Sequence, residues 1–188
     1  MTTTPKPQMA PIQELMDKQA IIEVIYTYCR GIDRMDRELV MSCWHPDGTA
    51  DYGALFSGLS SGFVNWVWPI HEKMERTQHN ITNILIELNQ DRAITEAYWL
   101  VYLRSSDNHG LIDIIGGGRY VDHFERINDV WKIQHRQCIF DWDRVDKVTL
   151  HFGDDTVIKS NNPENATLRG LRGHKDYSYL VGLPTKIL

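Results

Sequence analysis

The 188-residue sequence has no long apolar run, no basic cluster and only three cysteines. Nothing in it approaches the roughly 18 consecutive apolar residues that a membrane-crossing helix needs, so no membrane partner is expected. Lys and Arg number 20 against 25 Asp and Glu, a net charge of −5 at pH 7, and the cations are scattered. A phosphate backbone demands a dense cationic face, so no nucleic-acid partner is expected either. Cys29, Cys43 and Cys138 form no C-x-x-C motif and cannot all pair, which suits a reducing compartment. The opening MTTTPKPQMAP lacks the apolar stretch of a secretory signal; the expectation is a cytoplasmic protein with a loose arm over residues 1–10.

Several motifs of familiar chemistry are also missing. Gly116-Gly117-Gly118 falls inside a strand-like run rather than between a strand and a helix, so it is no phosphate loop and better suits a bend or bulge in a curved sheet. His71-Glu72-Lys73-Met74-Glu75 lacks the second histidine of a zinc helix, and the remaining histidines are dispersed. There is no Gly-x-Ser-x-Gly elbow, and no cysteine has an obvious activating neighbour. Neither a metal nor a cofactor is expected.

What is present is an ordinary globular composition, 42% hydrophobic and 24% charged, in a length that suits one domain. A helix is predicted from Pro11, with Ile21, Ile25, Tyr28 and Ile32 on one inward face and Gly31 and Asp33 marking its end. Asp36 is placed to cap a second helix over 37–44, which HPDG at 45–48 then breaks; a third is predicted over 62–74, bent or restarted near Pro69. The period then changes to two. Strands are predicted over 77–88, 92–104, 111–126 and 131–143, joined by polar turns. Trp99 and Val101 fall on one face, and Tyr98, Leu100 and Tyr102 on the other. Helices first and antiparallel strands afterwards make an α+β domain over 11–143. Residues 144–188 have weaker periodicity and leave two readings, a lid over a pocket or an arm on a neighbouring subunit.

Four polar residues stand out. Tyr28 lies on an apolar helix face, where a buried phenol needs a partner. Asp33 sits at the helix exit, and its plain alternative is a solvated cap. His79 opens an otherwise apolar strand, where alternation puts it with Ile81, Asn83 and Leu85; a carboxylate partner would turn it from a structural residue into a base. Arg136 shares a strand face with Cys138, Phe140 and Trp142, so it needs an anion, a carbonyl or a phenol, or else an ordinary salt bridge. The wide rings Tyr52, Phe56, Trp66, Trp68, Trp99, Phe140 and Trp142 exceed what a core of this size needs, and are the candidate substrate-binding residues for a flat or cyclic apolar ligand.

An N-terminal helix ending in Tyr-x4-Asp, a helix with W-x-W-P and a strand opening with His together resemble the SnoaL-like group of the nuclear transport factor 2-like superfamily. Within it the chain resembles bile-acid dehydratases, hexachlorocyclohexane dehydrochlorinases and, further off, scytalone dehydratases. YCRGID (28–33), TQHNITN (77–83) and GGRYVDHFERINDVWKIQHR (117–136) carry the likeness, which spans roughly residues 11–143. It implies a cone-shaped barrel, a strongly curved mixed or antiparallel sheet wrapped around the helices and one deep apolar pocket. It also implies catalytic roles for Asp33 and His79 as a dyad, for Tyr28 as acid or hydrogen-bond donor, and for Arg136 at the pocket. The implied activity is a cofactor-free lyase, most simply a dehydratase, acting on a small hydrophobic cyclic or aromatic substrate. A retro-aldol cleavage of lignin-type diaryl compounds or an isomerisation would use the same parts. The rival of another class is a non-catalytic binding or assembly subunit. A homo-oligomer, dimer or trimer, is expected, because an open curved sheet leaves an apolar outer face to cover.

Overall fold

A computed structural model describes residues 10–107, 110–149 and 170–182; the expected arm over 1–10 lies almost wholly outside the described residues. Helix α1 runs Pro11–Arg34, with proline in its first turn, where its missing N–H costs nothing. Ile21, Val24, Ile25, Tyr28 and Ile32 recur every three or four residues and are all essentially buried. The helix ends at Arg34, one residue beyond the predicted end at Gly31 to Asp33, where Met35 turns left-handed and its N–H closes onto Ile32. Gly31 serves close packing. A Cβ there would lie 2.8 Å from a methyl of Val40, so its lack of a side chain lets α2 (Arg37–Ser42) approach. Asp36 caps α2 as predicted, accepting the Leu39 N–H at 3.0 Å.

The next segment departs from the sequence reading. HPDG is not merely a breaker but the middle of strand β1 (Trp44–Asp51), followed by the short β2 (Ser57–Leu59). β1 runs parallel to the last strand, and its register jumps between Trp44 and Thr49, so residues 45–48 bulge out of the ladder. Pro46 therefore sits where no strand hydrogen bond is required of it. Helix α3 follows at Ser60–Glu72, two residues earlier than predicted, with Pro69 inside it.

Four long strands complete the domain: β3 (Arg76–Asn89), β4 (Arg92–Asp107), β5 (Gly110–Ile127) and β6 (Val130–Lys147). Each overlaps a predicted strand. The turn between β5 and β6 has both Asn128 and Asp129 left-handed, the geometry that matches strand twist in a tight hairpin. The sheet order is β2-β1-β6-β5-β4-β3, antiparallel except for β1 against β6. The architecture is thus α+β with a mixed sheet that curls around α1 and is not closed, β2 and β3 being its edges.

Two bulges overturn strict alternation. Asn83 is left-handed at a register shift in β3, so Leu85 turns outward and is 69% exposed instead of sharing the face of His79. A second shift pairs Gly118 with Phe140 but Gly117 with Trp142, leaving Asp141 as the extra residue. Trp142 consequently lies over Gly117 on the convex face, 51% exposed, and not beside Phe140. β6 also runs four residues beyond the expected boundary at 143.

The last described piece packs back on the helices. Residues 173–175 form a helical turn and α4 spans Tyr177–Leu180. Asp176 is buried and caps this turn through Ser178, Tyr179 donates to Asp36 at 2.9 Å, and Arg30 lies over the Tyr179 ring at 4.4 Å. Among the described residues no helix is long and apolar enough to cross a membrane.

Candidate active site

The last turn of α1 and the first residues of β3 bring Asp33 and His79 together. Asp33 Oδ1 lies 2.7 Å from His79 Nδ1, and Oδ2 accepts the backbone N–H of His79 at 2.8 Å. Both side chains are only about 10% exposed. An ionised carboxylate can only accept, so the ring proton sits on Nδ1 and Nε2 is left as the basic nitrogen. Burial pushes the Asp33 carboxyl up, but hydrogen bonds from the His79 ring and backbone and the charge of the imidazole carry it below its usual value.

His79 borders a cavity of about 180 Å³ whose other walls are almost wholly apolar. Of the rings singled out in the sequence, Tyr52, Trp66, Trp99 and Phe140 line it. The other three do not. Phe56 packs behind the wall on Phe63 and Trp66, Trp68 lies under the guanidinium of Arg37, and Trp142 is on the opposite face of the sheet. Gly118 makes this wall possible, because a Cβ there would lie 2.6 Å from the Trp99 indole.

Tyr28 is fully buried, one layer behind the cavity. Its hydroxyl lies 3.3 Å from that of Tyr52, which does reach the wall. Burial pushes the Tyr28 phenol up to about 12 even though Arg136 and the Tyr52 bond act to lower it, so it is a neutral donor or acceptor at ordinary pH. Arg136 is not at the cavity surface. Its Nε and Nη2 form a two-pronged pair with Asp122 at 2.8 and 2.7 Å, and both residues have no exposure at all. The guanidinium lies 3.9 Å from the Tyr120 ring centre and 4.3 Å from that of Tyr28. The charge that the sequence required an anion to balance has one, in the salt-bridge alternative, and it acts on the site only through the two phenols.

One residue of the site is missing from the sequence reading. His71, in the last turn of α3, lines the cavity with its ring stacked on His79, the centroids 6.0 Å apart and the planes within 19°. It is 7% exposed, and Nδ1 has no hydrogen-bond partner. Burial, then the neighbouring His79, lowers its pKa to about 4, so its ring is neutral at ordinary pH. The signal for it in the sequence is helical spacing from Val64 and Val67, which share the buried face of α3 with it. Among the described residues no group of three or more metal-ligating side chains converges.

The chain matches the SnoaL-like domain over residues 13–137. It belongs to that family. No curated protein matches it in sequence. Among solved structures it is similar to a protein of Novosphingobium aromaticivorans provisionally assigned as a scytalone dehydratase, with 19% identity, 74% of this chain and 93% of the other covered, and a TM-score of 0.67. The type-3 hexachlorocyclohexane dehydrochlorinase LinA of Novosphingobium barchaimii gives 17% identity, 77% and 99% coverage and a TM-score of 0.65. A Nostoc punctiforme protein with a cystatin-like fold gives 23%, 67% and 92%, and 0.56. At these identities the SnoaL-like likeness is one of fold.

Proposed function

We propose that this SnoaL-like protein is a lyase that removes a proton and a leaving group from a small cyclic or aromatic molecule without a cofactor. The observation that carries the reading is the double grip of Asp33 on His79 at the edge of an apolar cavity. Asp33 fixes the ring orientation and stabilises the imidazolium that forms, while Nε2 takes the proton from carbon. The Tyr52 hydroxyl, backed by Tyr28, donates to the departing or carbonyl oxygen. Arg136 is a positioning residue that lies against the Tyr28 and Tyr120 rings and keeps a positive charge behind the Tyr28–Tyr52 pair. Loss of water is the simplest reaction of this set, and the cavity favours it on size: about 180 Å³ is below the roughly 300–1,000 Å³ of pockets for drug-sized ligands, so a one- or two-ring body suits it better than a diaryl compound. An open cavity, not one filled by the protein's own side chains, also favours an enzyme over an assembly subunit.

The test is incubation with a panel of small cyclic and aromatic β-hydroxy ketones, with products followed by mass spectrometry. Dehydration of at least one member is expected, with His79→Ala and Asp33→Asn each slower by about 10²–10⁴ while folded. Normal turnover in both variants would remove the dyad from the account.

A further inference from the structure

His79 and Asp33 also border a second, polar cleft of about 750 Å³, formed where the end of α1, the start of β3 and residues 170–172 meet. Its lining charges are unbalanced: Arg34, Arg76 and Arg172 against Asp33 and Glu75. Asp33 has both oxygens on His79, Arg34 lies 3.6 Å from Asp176, and Arg76 reaches only the backbone carbonyl of Glu75. Arg172 donates through Nη1 to the carbonyl of His71 at 2.9 Å, but Nη2 is buried with no acceptor. Among the described residues it has no carboxylate at ion-pair distance. Arg172 is only partly buried, so its charge faces the cleft without a carboxylate to match it.

The segment bearing Arg172 is firmly attached. Asp176 accepts the Leu171 N–H at 2.8 Å, and Tyr179 is tied to Asp36. Burial, then repulsion from Arg76, holds Arg172 below its ordinary pKa, outweighing the attraction of Asp33 and Glu72. An added negative charge would relieve both effects.

We propose that Arg172 binds an anionic group of the substrate, so that the molecule is an apolar ring bearing a carboxylate, its ring in the aromatic cavity and its carboxylate in the polar cleft. This rests on the lyase reading above and narrows its substrate class. His79 borders both spaces, so a molecule spanning them passes the base. With Arg34 held by Asp176, the part-exposed Arg172 guanidinium and the neighbouring Arg76 suit one negative charge, not the dense donor cradle of a phosphate ester.

The test is calorimetric titration of the full-length protein with β-naphthoate and its neutral amide. Naphthoate is expected to bind about tenfold or more tightly than the amide, the scale of a charge-assisted hydrogen bond. Arg172→Gln should erase that preference and leave amide binding nearly unchanged, and Arg172→Lys should keep part of it. Equal affinities in the unaltered protein, or a preference that survives in Arg172→Gln, would overturn the anion site and leave the cavity reading standing. Failure of both probes to bind would overturn the two together.

Discussion

At the scale of single residues the decisive feature is that buried charge is paired and the imidazole proposed as the base is held twice. Arg136 and Asp122 carry the largest stake in stability. Removing one partner leaves the other uncompensated in the core, and such losses cost about 3–5 kcal/mol. Arg136→Ala is therefore expected to lower unfolding stability by that amount, read from urea denaturation, whereas an apolar replacement of both partners should recover most of it. His71 has a separate, pH-dependent signature. Its folded pKa of about 4 lies below the ordinary 6.5, so between those values the unfolded chain binds the extra proton and the folded one does not. Stability is thus unaffected by His71 above pH 6.5 and is lost as pH falls towards 4; Asp33, whose folded pKa is depressed, adds its own loss only below the usual carboxylate range near pH 4. Urea midpoints across pH 4–6.5 should show a flatter slope in His71→Phe than in the unaltered protein. An unchanged slope would contradict the assignment. Asp33 and His79 were legible as candidates from their places at a helix end and a strand start. Their contact was not, because 46 residues of chain separate them and only the fold closes that gap.

At the scale of elements the strongly periodic segments read correctly and the irregular ones did not. The stripe of α1 and the alternation of β4 survive because one face of each is buried, and burial enforces period. β1 was missed because a strand containing His-Pro-Asp-Gly carries breaker residues; they are tolerated in a bulge that pairs with nothing. Leu85 and Trp142 were put on the wrong face for the same physical reason, since a single extra residue in a strand reverses every side chain after it. The glycines of β5 make this testable. Gly118→Ala would drive a methyl into Trp99 and to within 2.0 Å of the Ile139 carbonyl, backbone that cannot yield, so a loss of about 1–3 kcal/mol or more is expected. At Gly117 the obstacle is only the half-exposed Trp142 ring, which can swing away. Thermal melts should rank Gly118→Ala well below Gly117→Ala; the reverse order would mean that the bulge is misplaced.

At the scale of the whole molecule the curled sheet has two faces with different work. The concave face builds the core and the cavity. The convex face leaves Leu85, Ile94, Tyr98, Leu100 and Trp142 each more than 40% exposed. Such a patch favours burial against another copy, and multi-angle light scattering is expected to give a dimer or trimer, with a monomer at micromolar concentration contradicting it. The central claim concerns the base. It is tested most directly by deuterium uptake into β-tetralone in heavy water, followed by NMR, because the compound has two fused rings, an acidic carbon beside a carbonyl and no leaving group to complicate the readout. The account predicts protein-catalysed exchange that falls about 10²–10⁴-fold in His79→Ala. Exchange at the same rate in that variant would show that the proton is taken elsewhere.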